Sequence, residues 1–438
     1  MKKFISTIQN IFSIEELRTR ILNTLILLVI FRLGSFVVLP GVDPAALTSH
    51  EGGIFGLLNT FLGGAFSNAS IFGLGIMPYI SASIVLQLLT VAVPYFQKMQ
   101  NDGESGRNKI NQITRVLTII ITIAQGFGYV TATIPAEAVL INPWFFRISG
   151  LIILVAGTMF CMWLGEKITD KGVGNGISML IMIGIISRLP GAIVAEALSR
   201  GSTGLLFFVI ELVALFFVIM AVVMLTQATR KIPIQYAKQV VGGRTYGGQR
   251  QYLPLKVNAA GVMPIIFAQS LMFLPSLLAQ SLADKYETAA SIGATFADIT
   301  SWQYNTLFAV LIIVFTFFYT AITINPNQIS DDLKRNGGFI PGVKPGPQTS
   351  EYIDSILTKI TLPGSIFLGL VAIMPAFARM AGVEGSFAQF YGGTSLLIMV
   401  GVVLDTLQQV ESYLLMRHYE GLMKSGKIKG RANKVAVA

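Results

Sequence analysis

Stretches of about 20 mostly apolar residues recur along the whole chain, starting near Ile21, Ile71, Ile113, Phe145, Ile177, Gly204, Ala259, Asn305, Ile356 and Thr394. Each is long enough to cross the hydrocarbon core of a bilayer as a helix, so the 438 residues measure spans rather than soluble domains. The reading is an all-α polytopic membrane protein with ten transmembrane helices and both termini on one side. A composition of 53% hydrophobic and 12% charged residues belongs to the same class.

Charge gives the orientation. With the N-terminus in the cytoplasm, 26 of the 32 Lys and Arg fall on the cytoplasmic face, leaving Arg32, Arg147, Arg188, Arg200, Lys285 and Arg379 for the other. Residues 1–20 read as a retained cytoplasmic amphipathic segment rather than a signal peptide, since Glu15 and Glu16 precede the first span and no small-residue cleavage site follows it. Cys161 is the only cysteine, and His50 and His418 lie far apart, so neither an internal disulfide nor a metal site can be argued.

The chain repeats itself. "GIMPYI" (Gly75 to Ile80) recurs as "GVMPII" (Gly261 to Ile266), and "GISMLIMIG" (Gly176 to Gly184) as "GTSLLIMVG" (Gly393 to Gly401). The echoes fall in the same order on spans 2 and 5 and on spans 7 and 10. Five spans separate each pair, so the copies run in opposite directions, the inverted-repeat arrangement of many transport proteins. The predicted organisation is an N-terminal half at 21–192, an external hinge loop at 193–203 within the stretch Ser187 to Gly204, a C-terminal half at 204–416 and a cytoplasmic tail at 417–438. Ile80 matches Ile266 and Ile181 matches Ile398, while Ile76 and Ile177 each stand four residues before a member of this set, on the same helical face. An aliphatic ring around the pseudo-symmetry axis is one reading; ordinary helix packing is the other.

Two long cytoplasmic loops stand out, 226–258 and 325–355. The first carries Arg230, Lys231, Lys238, Arg244, Arg250 and Lys256, and "VVGGRTY" within it suggests a hairpin around Gly242 and Gly243. The second is broken at Gly337, Gly338, Pro341, Pro345 and Pro347 and carries Lys334, Arg335 and Lys344. Both suit docking of a large anionic partner, though contact with anionic lipid would also account for the charge.

No energy-converting motif is evident. "GLMKSGKI" (Gly421 to Ile428) has phosphate-loop spacing, but Ile428 replaces the magnesium-binding hydroxyl and a membrane helix precedes it rather than a strand. Glu211 and Asp405 are the clearest intramembrane acids, read as paired structural groups against the alternative of proton carriers. A gradient-driven inverted-repeat transporter of a small solute, a membrane docking scaffold and a non-enzymatic channel driven by a partner all remain open on these residues.

Longer motifs resemble the SecY family, the channel subunits of the bacterial Sec protein translocon. They run from "FRLGSFVVLPGVD" through "FLGGAFSNASIFGLGIMPYISASIVLQLLT", "DGESGRNKINQITR", "MWLGEKITDKGVGNGIS", "YAKQVVGGRTYGGQRQYLPLKVNAAGVMP" and "FTFFYTAITINPNQISDDLKRNGGFIPGVKPG" to "YEGLMKSGKIKG". The resemblance implies an hourglass pore between two five-helix halves, closed by a hydrophobic ring of Ile76, Ile80, Ile177, Ile181, Ile266 and Ile398. It implies an external plug near 55–66, containing Phe55, Leu57, Leu58, Phe61, Leu62, Gly63, Gly64 and Phe66. It implies a lateral gate between spans 2 and 3 and spans 7 and 8, with Ser81, Gln87, Gln125 and Asn258 as polar contributors. It implies SecE and SecG as accompanying subunits, the motor ATPase SecA or the ribosome on the two loops, and signal sequences and nascent polypeptides as cargo, with no cofactor. Gly243 and Lys344 depart from the family's usual basic residues; lysine at 344 keeps the charge but loses a planar, bidentate guanidinium.

Overall fold

The computed structural model describes residues 12, 14–47, 62–132, 134–200, 204–236, 239–241, 244–246, 250–269, 271–272, 295, 298 and 300–424. Its first helix, α1 (Glu15–Gly34), carries Glu15 and Glu16 in its first turn and Arg32 in its last, the charge order that complements the helix dipole.

The apolar run expected to form span 2 from Ile71 does not become helical there. Residues 62–76 are turns, with Gly63, Gly64 and Gly75 at φ of 62°, 92° and 50°, and α2 (Met77–Ala92) starts with Pro78 in its first turn, where a missing N–H costs nothing. Pro94 then ends it. Val93 is extended at φ −116° and ψ 117°, as a residue before proline tends to be, and the chain turns 103° into α3 (Pro94–Asn101).

Next come α4 (Gly103–Ala132), α5 (Pro143–Lys171), α6 (Gly176–Arg200) and α7 (Leu205–Gln227). At 1.5 Å per residue α4 runs roughly 45 Å, long enough for Glu104, Arg107 and Lys109 to stand beyond the apolar part. The segment expected to be an external loop, Ser187 to Gly204, is helical as far as Arg200 despite Pro190 inside it. Apart from Pro190 and Gly191 its residues are mostly good helix formers, and an i, i+4 pair of Glu196 and Arg200 supports the last turn.

The two long loops fold together. β1 (Thr229–Tyr236) pairs antiparallel with β4 (Arg250–Lys256) from Thr229↔Lys256 to Gln235↔Arg250. Between them β2 (Gln239–Val241) and β3 (Arg244–Tyr246) form the expected hairpin, Val241 opposite Arg244. From the second loop, β5 (Gly338–Phe339) adds to the other edge of β1, giving the order β4-β1-β5. Ile232, Ile234 and Leu255 of the sheet share a buried core with Leu333, Ile340, Ile353 and Leu357. The remaining elements are helical residues 263–269, α8 (Trp302–Thr323), α9 (Pro326–Arg335), α10 (Pro347–Met380), the short α11 (Gly385–Ala388) and α12 (Gly393–Lys424).

Among the described residues seven helices are long and apolar enough to cross a membrane, or eight with the bent pair α2–α3, where the sequence leads one to expect ten. α1 falls short because of its charged ends, and the expected seventh span runs from residues 263–269 into residues outside those described. Three apolar clusters organise the helices. One draws on residues 39 to 154, another on 222 to 400, and the third lies between them, from Leu28 of α1 to Val402 of α12.

Candidate functional site

The six isoleucines selected from the repeat all fall in that third cluster. Ile76 and Ile398 are buried in it, and Ile80, Ile177, Ile181 and Ile266 pack half-buried against it. They arrive from four places: the start of α2, the first two turns of α6, helical residues 263–269 and the second turn of α12. Ile76 and Ile80 are one turn apart, the N–H of Ile80 donating to the Ile76 carbonyl at 3.1 Å.

Of the expected plug, Phe55, Leu57, Leu58 and Phe61 lie outside the described residues. Leu62, Gly63, Gly64 and Phe66 are described, and Leu62 and Phe66 are buried in the first cluster with Ala65 and Ala69. Arg32 Nη1 donates to the Gly63 carbonyl at 2.6 Å, and the Tyr129 hydroxyl to the Phe66 carbonyl at 2.6 Å. Gly63 is the residue the position requires. Its φ is left-handed, and a β-carbon there would lie 2.9 Å from both the Gly184 carbonyl oxygen and Ser187 Oγ on α6. Gly184 stands three residues beyond Ile181, so this segment abuts the isoleucine cluster from one side.

The expected gate residues part company. The Gln87 Oε1 accepts from the Tyr319 hydroxyl at 3.2 Å, joining α2 to α8. Asn258 is buried, and its Oδ1 finds no hydrogen-bond partner among the described residues. Ser81 donates back to the Met77 carbonyl at 3.2 Å within its own helix, and Gln125 is exposed on α4, so neither crosses between elements through these contacts. What closes this edge is apolar: Ile84 of α2 with Ala260, Phe267 and Tyr319, and Ile80, Leu88, Met263, Ile266, Phe315 and Phe318 packed around them. Phe267 lies edge-on to Tyr319 at 5.0 Å between centroids. Tyr319 escaped the sequence reading; a lone hydroxyl-bearing ring inside "FTFFYTAIT" was its signal.

Arg244 begins β3 and Arg250 begins β4. Lys334 and Arg335 are exposed in the last turn of α9, where cations offset the helix dipole, and Lys344 is exposed in the turn between β5 and α10. Strand β5, by joining the loops, places β4, α9 and the turn carrying Lys344 together, while the β2–β3 hairpin that begins its second strand at Arg244 is a separate two-stranded sheet inserted between β1 and β4. Glu211 is paired, held by Arg200; Asp405 is exposed on α12 and has no ion pair among the described residues. Cys161 is fully buried. His50 and residues 425–438 lie outside the described residues.

Residues 70–407 match the family model described as SecY. A protein translocase subunit SecY of Streptomyces scabiei is 41% identical over 437 residues, covering 94% of this chain and 98% of that one. One from Escherichia coli (strain K12) is 42% identical over 441 residues, covering 95% of this chain and 96% of the relative. Among solved structures, a protein-conducting channel superposes with a TM-score of 0.67 at 18% identity, covering 90% of this chain and 92% of the other. Sec61 in the canine ribosome-channel complex from the endoplasmic reticulum gives 0.62 at 17% identity with the same coverage. At such identities the structural likeness speaks for the fold.

Proposed function

The chain belongs to the SecY family, and from that membership we infer that it is a protein-conducting channel of the cytoplasmic membrane, carrying unfolded secretory polypeptides across and releasing apolar segments sideways into lipid. The observation that carries this is the convergence of Ile76, Ile80, Ile177, Ile181, Ile266 and Ile398 from four separate elements on one apolar cluster. The positive-inside distribution favours cytoplasmic termini and a cytoplasmic sheet.

A secretory chain carries charges whose transfer into a bilayer as part of a helix costs about 2.5–3.5 kcal/mol each. A wet path removes most of that cost, and the ring limits the ion leak that such a path brings. Isoleucine offers no polar atom to an ion, so a narrow neck of such side chains closes by dewetting. Its β-branched side chain holds few rotamers, which keeps the constriction from collapsing when a polypeptide leaves. The segment Leu62–Phe66, clasped by Arg32 and Tyr129, supports the seal on the external side as the end of the plug. Apolar signal sequences leave between α2 and α8, an edge whose contacts are mostly aromatic and aliphatic and so exchange readily with lipid or with a hydrophobic segment.

The energy comes from a partner. SecA or the ribosome docks on the two cytoplasmic loops carrying Arg244, Arg250, Lys334, Arg335 and Lys344, SecE and SecG complete the membrane complex, and anionic lipids meet the remaining basic residues. The Sec61 relative in a ribosome complex supports the ribosome as one such partner. A gradient-driven transporter would need acids poised near the ring, whereas Glu211 is committed to Arg200 and Asp405 is exposed. The test is site-specific crosslinking of an arrested secretory chain to photoprobes at Ile80 and Ile181. Both positions are expected to capture the chain, and capture at neither, with labelling instead from the exposed Val116 of α4, would overturn the reading.

A further inference from the structure

Inside the C-terminal half lies a cleft that the proposed mechanism leaves unused. Five parts of the chain meet there: residues 263–269, α8, α10, the turn at Gln389 and the first turn of α12. Phe308 of α8 and Ala372, Pro375 and Ala376 of α10 form its apolar wall, and no charged side chain lines it among the described residues.

Across the cleft Thr394 Oγ1 donates to Gln269 Oε1 at 3.0 Å, tying residues 263–269 to α12. Thr394 stands four residues before Ile398 and Gln269 three after Ile266, so this bond lies one helical turn from two members of the ring. Other polar groups around the cleft lack such a partner. The hydroxyls of Ser395 and Tyr304, residues each 3% exposed, make no hydrogen bond among the described residues. The first N–H groups of α12 lie ahead of any intrahelical acceptor. Pro375 has no N–H to give the Val371 carbonyl four residues earlier, and that oxygen faces the start of α12, where a β-carbon on Gly392 would stand 2.2 Å from it. Several donors and a freed acceptor thus converge on one small volume.

Buried polar groups are rarely left unpaired, and neutral ones gathered around an interior space suit water. An anion would find no cation to offset its desolvation, and a metal ion no carboxylate. The space for water centres is about 40 Å³, enough for about three molecules at roughly 10–15 Å³ each.

We propose that this cleft is a binding site for about three ordered waters, which complete the hydrogen bonds of Ser395, Tyr304, Val371 and the α12 N-terminus and can replace Gln269 and Thr394 as each other's partner. When residues 263–269 shift to let a polypeptide through the ring, a dry break would leave two polar groups unpaired. With water on hand the exchange is close to even, because a bridging water is nearly as good a partner as the group it replaces. The ring is in this way adjustable at Ile266 and Ile398. That link rests on the channel reading above; the water site does not.

The test is hydroxyl-radical footprinting with mass spectrometry on the membrane-embedded complex, in which a buried tyrosine is oxidised when water lies against it. Tyr304 is expected to react about tenfold faster in the unaltered protein than in Ser395→Leu, whose side chain takes the waters' space, while Tyr129, in another cluster, reacts equally in both. Ala376→Leu fills the cleft from the α10 side should Ser395→Leu fail to insert. Equal reaction of Tyr304 in the unaltered and filled proteins would overturn the water site. Export of a secretory protein by the filled variant should slow about tenfold, because breaking the Gln269–Thr394 bond then leaves both groups dry. Adding Thr394→Val should recover part of the rate, since Gln269 is then unpaired before and after the shift and no longer opposes it. Normal export with a filled cleft would overturn the link to the ring and keep the water site. Slow export that Thr394→Val does not recover would assign the loss to packing and overturn the partner exchange. Failure of the channel reading would show separately, as absent crosslinks at Ile80 and Ile181 with Tyr304 still reactive.

Discussion

Six side chains of one residue type carry the proposed seal, and what they share is what they lack: a dipole for an ion to hold. Replacing Ile80 and Ile266 with serine puts two hydroxyls on adjoining elements of the ring cluster, lowering the cost of wetting the neck. The expected outcome is a raised resting conductance in planar bilayers with protein export largely retained, and unchanged conductance would remove these two from the ring. At this scale the sequence is unusually readable, because an internal repeat marks equivalent positions before any coordinate is known: Ile80 with Ile266 and Ile181 with Ile398 all reach one cluster. Selection by polarity alone does worse. Gln87 bonds across the α2–α8 edge and Asn258 is buried, but Gln125 is exposed on α4, since residue type says nothing about which face of a helix is turned inward.

At the scale of elements, α2 and α8 meet through rings and aliphatic chains held in register by the Tyr319 hydroxyl on Gln87. Tyr319→Phe keeps the ring contacts with Phe267 and removes that one neutral hydrogen bond, about 1 kcal/mol of edge stability. Export driven by a weakly apolar signal sequence should rise in consequence, measured as the ratio of processed to precursor protein; an unaltered ratio would mean that this bond does not limit opening. Helix boundaries in this region were poorly legible. A hydropathy window sees one apolar run from Ser67 to Thr90, whereas left-handed glycines hold 62–76 in turns until Met77, and Pro94 then folds the chain back. Likewise Pro190 suggests a break that neighbouring helix formers and the Glu196–Arg200 pair override.

For the molecule as a whole, the sheet-bearing face collects the exposed cations Arg230, Lys231, Lys256, Lys334, Arg335 and Lys344. Reversing Lys334, Arg335 and Lys344 to glutamate should weaken binding of ribosomes to proteoliposomes, steeply at low salt and less so at high salt, while Asp405→Asn should leave it unchanged. Equal binding by the reversed protein would move the docking surface elsewhere. The hairpin in the first loop is legible from "VVGGRTY", but the joining of the two loops is not: β5 is two residues long and its partner strand lies about a hundred positions away, beyond any local pattern. The right-angled turn at Val93 has a further consequence. With α2 standing across a bilayer, a bend of 103° lays α3 along its surface, with Tyr95 exposed. α2 is thereby denied one degree of freedom. It can lean outward, but it cannot slip along the membrane normal without pulling Lys98 and the amide side chains around it into oil.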